Sequence, residues 1–183
     1  MPTSQHYCLF DTAIGPCGVA WSDDGLTHLQ LPEADRVATE RRLSKSARRD
    51  APDDPPEPIA QAIASLRAYF AGEPVDFSAI ALDLADVPAF HRKVYDAARR
   101  VGFGHTVSYG ALARELGDPG AARAVGQALG RNPLPVIVPC HRVLAANRQM
   151  GGFSAFGGTA TKRRLLALEG VRLRDEAPRL PGL

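Results

Sequence analysis

Residues 131–143, RNPLPVIVPCHRV, determine how the rest of this chain is interpreted. Residues 136–138 are apolar and β-branched, which predicts a short buried strand between prolines. Pro139 has no N–H to donate to a β-ladder, so the strand must end there or lie at the edge of a sheet. The next residue, Cys140, therefore places a thiol at the end of a rigid element, directly before an imidazole and a guanidinium.

The Cys140 thiol has two interpretations. The neighbouring His141 and Arg142 can lower the pKa of the thiol, and the thiolate is the form of cysteine that acts as a nucleophile. Most free cysteines, however, are small buried hydrophobic residues without a chemical role. The residues alone leave both interpretations open.

The pattern PCHRV at residues 139–143, with Asn132 eight positions before the cysteine, resembles the active-site signature of the O6-alkylguanine-DNA alkyltransferases. The similarity extends in consistent order from about residue 90 to residue 170. In that family a cysteine takes an alkyl group from the O6 atom of a damaged guanine and keeps it. The resemblance implies that Cys140 is this acceptor, that each molecule acts once, and that no cofactor takes part.

Length and composition fit a globular protein of one large or two small domains. The chain has 183 residues, of which 45% are hydrophobic. No apolar run approaches the length of a membrane span, and the N-terminus lacks a signal-peptide pattern. The three cysteines are an odd and sparse set, which argues against a disulfide framework and for a reducing compartment. We therefore expect a cytoplasmic protein without membrane contact.

Charge is distributed unevenly along the chain, although the net charge is only +2. Residues 90–183 contain 15 Lys and Arg against 6 Asp and Glu, whereas residues 1–89 contain 7 against 14. A basic half joined to an acidic half indicates that only the second half meets a polyanion such as nucleic acid. Two ordinary solvated surfaces are the alternative, which charge alone does not exclude.

The N-terminal half begins with β-structure and continues with helices. We predict, in order, a turn at 14–18, a strand at 19–21, a turn at 23–25 and a strand at 26–31, the last two strands forming a hairpin. There follow a polar helix at 33–43, an exposed loop at 44–58, a helix ended by Gly72 and a strand at 77–84. This order is similar to the smaller N-terminal domain of the alkyltransferases.

Some members of that family bind zinc in this domain. The local candidates here are His6, Cys8, Cys17 and His28. They lack the close Cys or His spacing of a zinc site, so we predict that no metal binds.

The C-terminal half carries a helix-turn-helix pattern. Ser108 caps a helix that runs to about Leu116, residues 117–120 form a turn, and a second helix at 121–129 is closed by Gly130. A glycine-rich loop at 151–158 and a final helix at 161–169 follow. The resemblance implies an α+β fold with an antiparallel sheet in a domain at 1–86, a mostly helical domain at 87–172 and a flexible tail at 173–183.

The second helix of this pattern is rich in small residues, which allow its backbone to approach another surface closely. In most soluble proteins that surface is a neighbouring helix. The resemblance implies instead that the helix lies in the minor groove of DNA and that Arg123 replaces an extruded base. The implied DNA-contacting residues are Tyr109, Ala121, Ala122, Arg123, Ala124 and Gly126. For Arg123 a phosphate contact, and for Tyr109 simple packing, are the alternatives.

The resemblance also implies the residues that act on the thiol. His141 would take the proton of Cys140 through a water molecule, and Glu169 would orient the imidazole. Asn132 would tie the neighbouring loop to the active-site turn, and the hydroxyl of Tyr109 would serve the guanine N3 atom. A surface salt bridge for Glu169 and a helix-capping role for Asn132 are the alternatives.

The substrate pocket is implied by the same resemblance. The backbone carbonyls of Cys140 and Val143 would accept hydrogen bonds from the exocyclic amine of guanine. Met150, Ala155 and Phe156 would line the pocket, and the last two stand where animal enzymes have a Tyr-Ser pair. The resemblance also implies the partner, double-stranded DNA containing O6-alkylguanine, and we expect the protein to bind it as a monomer.

Three other functions compete with this hypothesis. An inert relative that only senses alkylated DNA would have the cysteine replaced, and a regulator using the helix-turn-helix alone would need neither Cys140 nor Glu169. A cysteine hydrolase would need an oxyanion motif to release its intermediate, and the sequence offers none.

Overall fold

The computed structural model describes residues 6–47 and 54–173. Within these two segments, no helix is long and apolar enough to cross a membrane. In the same segments, no three His, Cys, Asp or Glu side chains are grouped as metal ligands would be.

A three-stranded antiparallel sheet opens the chain, in the order β1 (His6–Thr12), β2 (Gly15–Ser22), β3 (Gly25–Gln30). The predicted hairpin of the second and third strands is confirmed. The predicted turn at 14–18 is wrong, because β2 already begins at Gly15 and the turn is residues 13–14. Pro16 is tolerated in the central strand because β3 pairs with β2 only from Gly18 onward, so the missing N–H faces no strand.

Two helices follow the sheet. Helix α1 (Arg36–Leu43) is capped by Asp35, whose side chain accepts from the Ala38 N–H at 2.7 Å. Helix α2 (Glu57–Phe70) buries the apolar face that its spacing predicts, and Gly72 follows its end with a φ of 96°.

The predicted strand at 77–84 is wrong. Only an isolated parallel bridge joins Leu26 to Leu82 there. The segment satisfies its backbone acceptors differently, because Nη2 of Arg99 donates to the carbonyls of residues 77, 78 and 80 at 2.9–3.2 Å. A side chain thus replaces a partner strand for residues 77–80, whereas Leu26 of β3 makes backbone hydrogen bonds to residues 81 and 83.

The helix-turn-helix of the C-terminal half is confirmed. It comprises α4 (Tyr109–Glu115) and α5 (Ala122–Gly130), and Ser108 caps the first of them by accepting from the Ala111 N–H at 3.0 Å. The remaining elements are α3 (Ala89–Arg99), β4 (Val107–Ser108), β5 (Val143–Leu144) and α6 (Thr159–Leu168). Strands β4 and β5 form a two-residue parallel ladder.

One hydrophobic core joins the two halves, and it includes Leu26 of β3, Leu66 of α2, Val94 of α3 and Val125 of α5. The expected α+β fold is confirmed. Leu173, at the start of the predicted tail, is buried near Leu166, whereas residues 174–183 lie outside the described residues.

Candidate active site

The predicted strand at 136–138 is wrong, since these residues form a buried turn. Val136 has a φ of 75°, which no strand residue adopts, and the Val138 N–H donates to the Leu134 carbonyl at 2.8 Å. Asn132 closes this turn by donating to the Val138 carbonyl at 2.8 Å and accepting from the Leu134 N–H at 2.9 Å. Prolines at 133, 135 and 139 remove ladder donors, so local bonds and the Asn132 side chain take the place of a sheet.

The turn is also tied to the N-terminal sheet, because the Leu29 N–H of β3 donates to the Pro133 carbonyl at 2.9 Å. It ends in a single 3-10 turn over Cys140–Arg142. The Cys140 side chain is buried at the floor of a cleft, and the residue is 7% exposed.

Glu169 is the centre of a buried polar network. Its Oε1 atom lies 2.7 Å from His141 Nε2, its Oε2 atom accepts from the Gly104 N–H at 3.1 Å, and Arg142 Nε donates to both oxygens at 3.1 and 3.0 Å. Burial by itself would raise the pKa of Glu169, but the hydrogen bonds from His141, Arg142 and Tyr69 outweigh it and lower the pKa to about 2. Glu169 is therefore ionised at neutral pH.

Tyr69 of α2 belongs to this network, although sequence reasoning did not find it. Its hydroxyl donates to Glu169 Oε1 at 2.6 Å and lies 3.2 Å from His141 Nε2. The only signal in the sequence was a tyrosine beside the buried face of an amphipathic helix, where a hydroxyl needs a partner. Nothing in the sequence pointed to a partner 100 residues away.

His141 is neutral and has a defined tautomer. Burial lowers the pKa of the imidazole, and the opposing pull of Glu169 does not reverse the shift. An ionised carboxylate only accepts hydrogen bonds, so Nε2 carries the proton that bonds to Glu169. Nδ1 is buried and has no hydrogen-bonding partner in the described segments, which leaves this atom able to accept a proton.

Lys162 of α6 is a second residue that sequence reasoning missed. Its Nζ atom donates to the Val143 carbonyl at 2.7 Å and lies 5.8 Å from the centroid of the Tyr109 ring. Burial lowers the pKa of Lys162 to about 8, against the opposing effect of Cys140. The resemblance implies that the Val143 carbonyl accepts a hydrogen bond from guanine. This carbonyl accepts one from Lys162 in the structure, and its second lone pair remains for another donor.

The Cys140 thiol needs a base at neutral pH. Burial raises the pKa of the thiol, while the Asn132 side chain and the positive charge of Lys162 act in the opposite direction without cancelling the effect. The adjacent neutral His141 is suited to remove the proton.

A cleft of about 840 Å³ opens above Cys140. Among its lining residues are four of those expected to contact DNA or its target base: Tyr109, Ala122, Arg123 and Gly126. Ala121 and Ala124 do not line this cleft and pack into or against the hydrophobic core, and Ala122 packs against the same core from the cleft side. Of the small residues at and within α5, Ala122 and Gly126 thus line the cleft, whereas Ala121 and Ala124 serve the protein interior.

A second cavity of about 310 Å³ meets Cys140 from the side of β3. Ala155 and Phe156 line this cavity, with Phe156 52% exposed, whereas Met150 packs beside Leu144 and Leu166 outside both cavities. Phe153, which was not among the expected pocket residues, lines both cavities. The sequence showed Phe153 as one of two aromatic residues in the glycine-rich loop, but the expected alignment assigned only Ala155 and Phe156 of that loop to the pocket.

We expect the protein to lose stability in acid because of Glu169. Its pKa in the fold is about 2, below the value of about 4.3 in an unfolded chain. Such a group contributes stability that is complete above the unfolded pKa and is lost as the pH falls through the folded pKa. The urea midpoint should therefore drop between about pH 5 and pH 2, and the Glu169→Gln variant should show a shallower decline. Parallel pH curves for the two proteins would contradict this assignment.

Two family models match the chain on either side of residues 85–88. The model described as 6-O-methylguanine DNA methyltransferase, ribonuclease-like domain, covers residues 5–84. The model described as 6-O-methylguanine DNA methyltransferase, DNA binding domain, covers residues 89–171.

Curated relatives and solved structures agree with these matches. The methylated-DNA–protein-cysteine methyltransferase of Mycobacterium bovis is 40% identical over 167 residues, covering 91% of this chain and 93% of the relative. The constitutive enzyme of that name from Bacillus subtilis is 34% identical, covering 94% and 99%. The crystal structure of Mycobacterium tuberculosis OGT in complex with DNA has a TM-score of 0.72 and 38% identity, covering 90% and 93%. The chain therefore belongs to the methylated-DNA–protein-cysteine methyltransferase family.

Proposed function

We propose that this protein repairs duplex DNA by moving an alkyl group from the O6 atom of guanine to its own Cys140. The observation that carries the proposal is the buried thiol at the floor of the cleft, next to a neutral His141 that an ionised Glu169 holds in place. The family of the chain supports the same reaction, since its curated members are named for transfer from methylated DNA to a protein cysteine.

The reaction follows from the protonation states of these residues. His141 Nδ1 takes the proton of Cys140 through a water molecule, and the thiolate attacks the alkyl carbon in line with its bond to O6. The sulfur–carbon bond forms as the carbon–O6 bond breaks, and the electrons of that bond remain on guanine. The proton that left Cys140 returns from His141 through water to guanine, so the step balances. The thioether is not a leaving group, so each molecule reacts once.

The target base has to leave the helix, because the O6 atom of a paired guanine lies on the major-groove edge and does not reach a thiol buried in the protein. Helix α5 would enter the minor groove, with Arg123 filling the space of the base and Tyr109 promoting its rotation. The exposed position of Arg123 at the edge of the cleft supports this role. Residues 1–86 would support a DNA-binding and catalytic domain at 87–172, and one chain would act as a monomer in the cytoplasm.

Replacing Arg123 with alanine should slow repair of duplex DNA by about tenfold or more, because no side chain then fills the space that the flipped base leaves in the helix. Reaction with a free O6-alkylguanine base, which needs no flipping, should be unaffected. The rate of each reaction under single-turnover conditions checks this. Arg92→Ala removes another exposed cation, on α3, and serves as the control. Equal slowing of both reactions would show that Arg123 acts on the chemistry rather than on flipping.

Mass spectrometry tests the function directly. The protein is incubated with duplex DNA containing one O6-methylguanine, and the intact mass and the peptide masses are measured. We expect a gain of one CH2 unit on the Cys140 peptide, at a ratio of one per protein. An unmodified protein that still binds this DNA would favour a damage sensor, and a protein that neither binds nor reacts would overturn the proposal.

A further inference from the structure

Tyr69 connects the N-terminal half of the chain to the acid–base pair of the C-terminal half. It lies on α2, within residues 5–84, and its side chain is fully buried. The hydroxyl lies within 3.2 Å of both His141 and Glu169. We propose that Tyr69 is a positioning residue for alkyl transfer, which holds the Glu169 carboxylate and thereby keeps His141 in the tautomer that can accept the thiol proton. The inference rests on the proposed function.

The directions of the hydrogen bonds support this role. Glu169 Oε1 accepts a hydrogen bond from the Tyr69 hydroxyl at 2.6 Å and lies 2.7 Å from His141 Nε2. The Tyr69 hydroxyl has one hydrogen, which it donates to the closer carboxylate, so the hydroxyl does not also donate to Nε2. With Nε2 protonated, the lone pair of the imidazole stays on Nδ1. The opposite tautomer would carry its N–H at Nδ1, where the thiol proton has to arrive.

The Tyr69 ring is held rigidly, which a positioning residue requires. Three aromatic rings meet it edge to face, with centroid distances of 5.3 Å to Phe70, 5.6 Å to Phe77 and 6.1 Å to Phe103. Two of these rings come from the N-terminal half and one precedes β4. The hydroxyl therefore has little freedom to leave the carboxylate.

The pH dependence of alkyl transfer should report this contact. The titratable and charged groups that face His141 are Tyr69 on α2, Cys140 and Arg142 on its own turn, Lys162 on α6 and Glu169 at the end of α6. Loss of the hydroxyl leaves more negative charge on the Oε1 atom of Glu169. That charge stabilises the protonated imidazole, so the pH at which the base becomes neutral rises.

The test compares Tyr69→Phe with Tyr95→Phe. Tyr95 is equally buried, and its hydroxyl donates to the Ala128 carbonyl at 2.8 Å, so both variants lose one buried hydrogen bond. We expect Tyr69→Phe to lower the plateau rate of single-turnover transfer about fivefold or more and to move the midpoint of the pH–rate curve upward by about half a unit. Tyr95→Phe should change neither the plateau nor the midpoint, although both variants should melt earlier.

Two results would overturn the inference while the proposed function stands. The first is an active wild-type protein together with a Tyr69→Phe variant whose rate and pH midpoint equal those of Tyr95→Phe. The second needs no variant, and so applies even if Tyr69→Phe does not fold: a ¹⁵N spectrum of wild-type His141 with the proton on Nδ1. If wild-type protein does not transfer the alkyl group at all, the proposed function fails first, and the inference fails with it.

Discussion

The Cys140→Ser variant should transfer no alkyl group to itself, yet should bind duplex DNA as tightly as the wild-type protein. A serine hydroxyl in this buried position stays protonated beside a neutral imidazole and is a far weaker nucleophile toward an alkyl carbon than a thiolate. The substitution changes one atom at the floor of the cleft, away from the exposed edge formed by Arg123. The substitution should therefore abolish alkyl transfer without weakening DNA binding.

Intact mass after incubation with O6-methylguanine DNA measures the chemistry, and fluorescence anisotropy with the same duplex measures the binding. Cys8→Ser is the matched control, because Cys8 lies on β1 outside both cavities that meet Cys140. The control should gain one alkyl group like the wild-type protein. A Cys140→Ser protein that still gains the group would place the acceptor elsewhere in the chain.

Glu169→Gln should damage both stability and repair. The neutral amide no longer balances the buried Arg142 guanidinium, and removing one partner of a buried ion pair costs about 3–5 kcal/mol. The glutamine amide also has only one acceptor oxygen, and its NH2 group is a donor. It therefore cannot accept all of the hydrogen bonds that Tyr69, His141 and Arg142 donate to the carboxylate. We expect alkyl transfer to slow by about 10²–10⁴-fold, the usual contribution of general acid–base catalysis.

Urea unfolding and single-turnover kinetics measure these two effects. Glu115→Gln is the control, since Glu115 forms an exposed ion pair with Arg100 at the protein surface. Loss of an exposed pair costs about 1 kcal/mol or less and should not affect repair. If the two variants lost the same free energy of unfolding, Glu169 and Arg142 would not form a buried ion pair.

Sequence patterns predicted the parts of the site that depend on local chemistry. The cap at Ser108, the helix-turn-helix, and the pairing of His141 with Glu169 are where the sequence and the family resemblance placed them. The cap and the helix-turn-helix follow from residue type and short spacing. The pairing of His141 with Glu169 follows from the family resemblance, which implies both residues together.

The missed features depend on contacts that the sequence does not encode locally. Residues 136–138 are β-branched and buried, which suits a strand and a buried turn equally well. The positive φ of Val136 and the hydrogen bond from Val138 to Leu134 identify the turn. Tyr69 and Lys162 were overlooked because their partners, Glu169 and the Val143 carbonyl, lie on other elements. A hydrophobic pattern indicates burial, but it does not say which polar group a buried side chain meets.

The hydrogen bond from Leu29 of β3 to the Pro133 carbonyl makes the N-terminal domain part of the support of the active site. It fastens the turn that carries Cys140 to the sheet of the other matched domain, so the two domains are not interchangeable units. A recombination event that exchanged the sheet for an unrelated one would keep the DNA-reading helices but lose a support of the reactive turn. A change that displaces the edge of β3 is therefore expected to disturb the turn that carries Cys140 as well as the sheet.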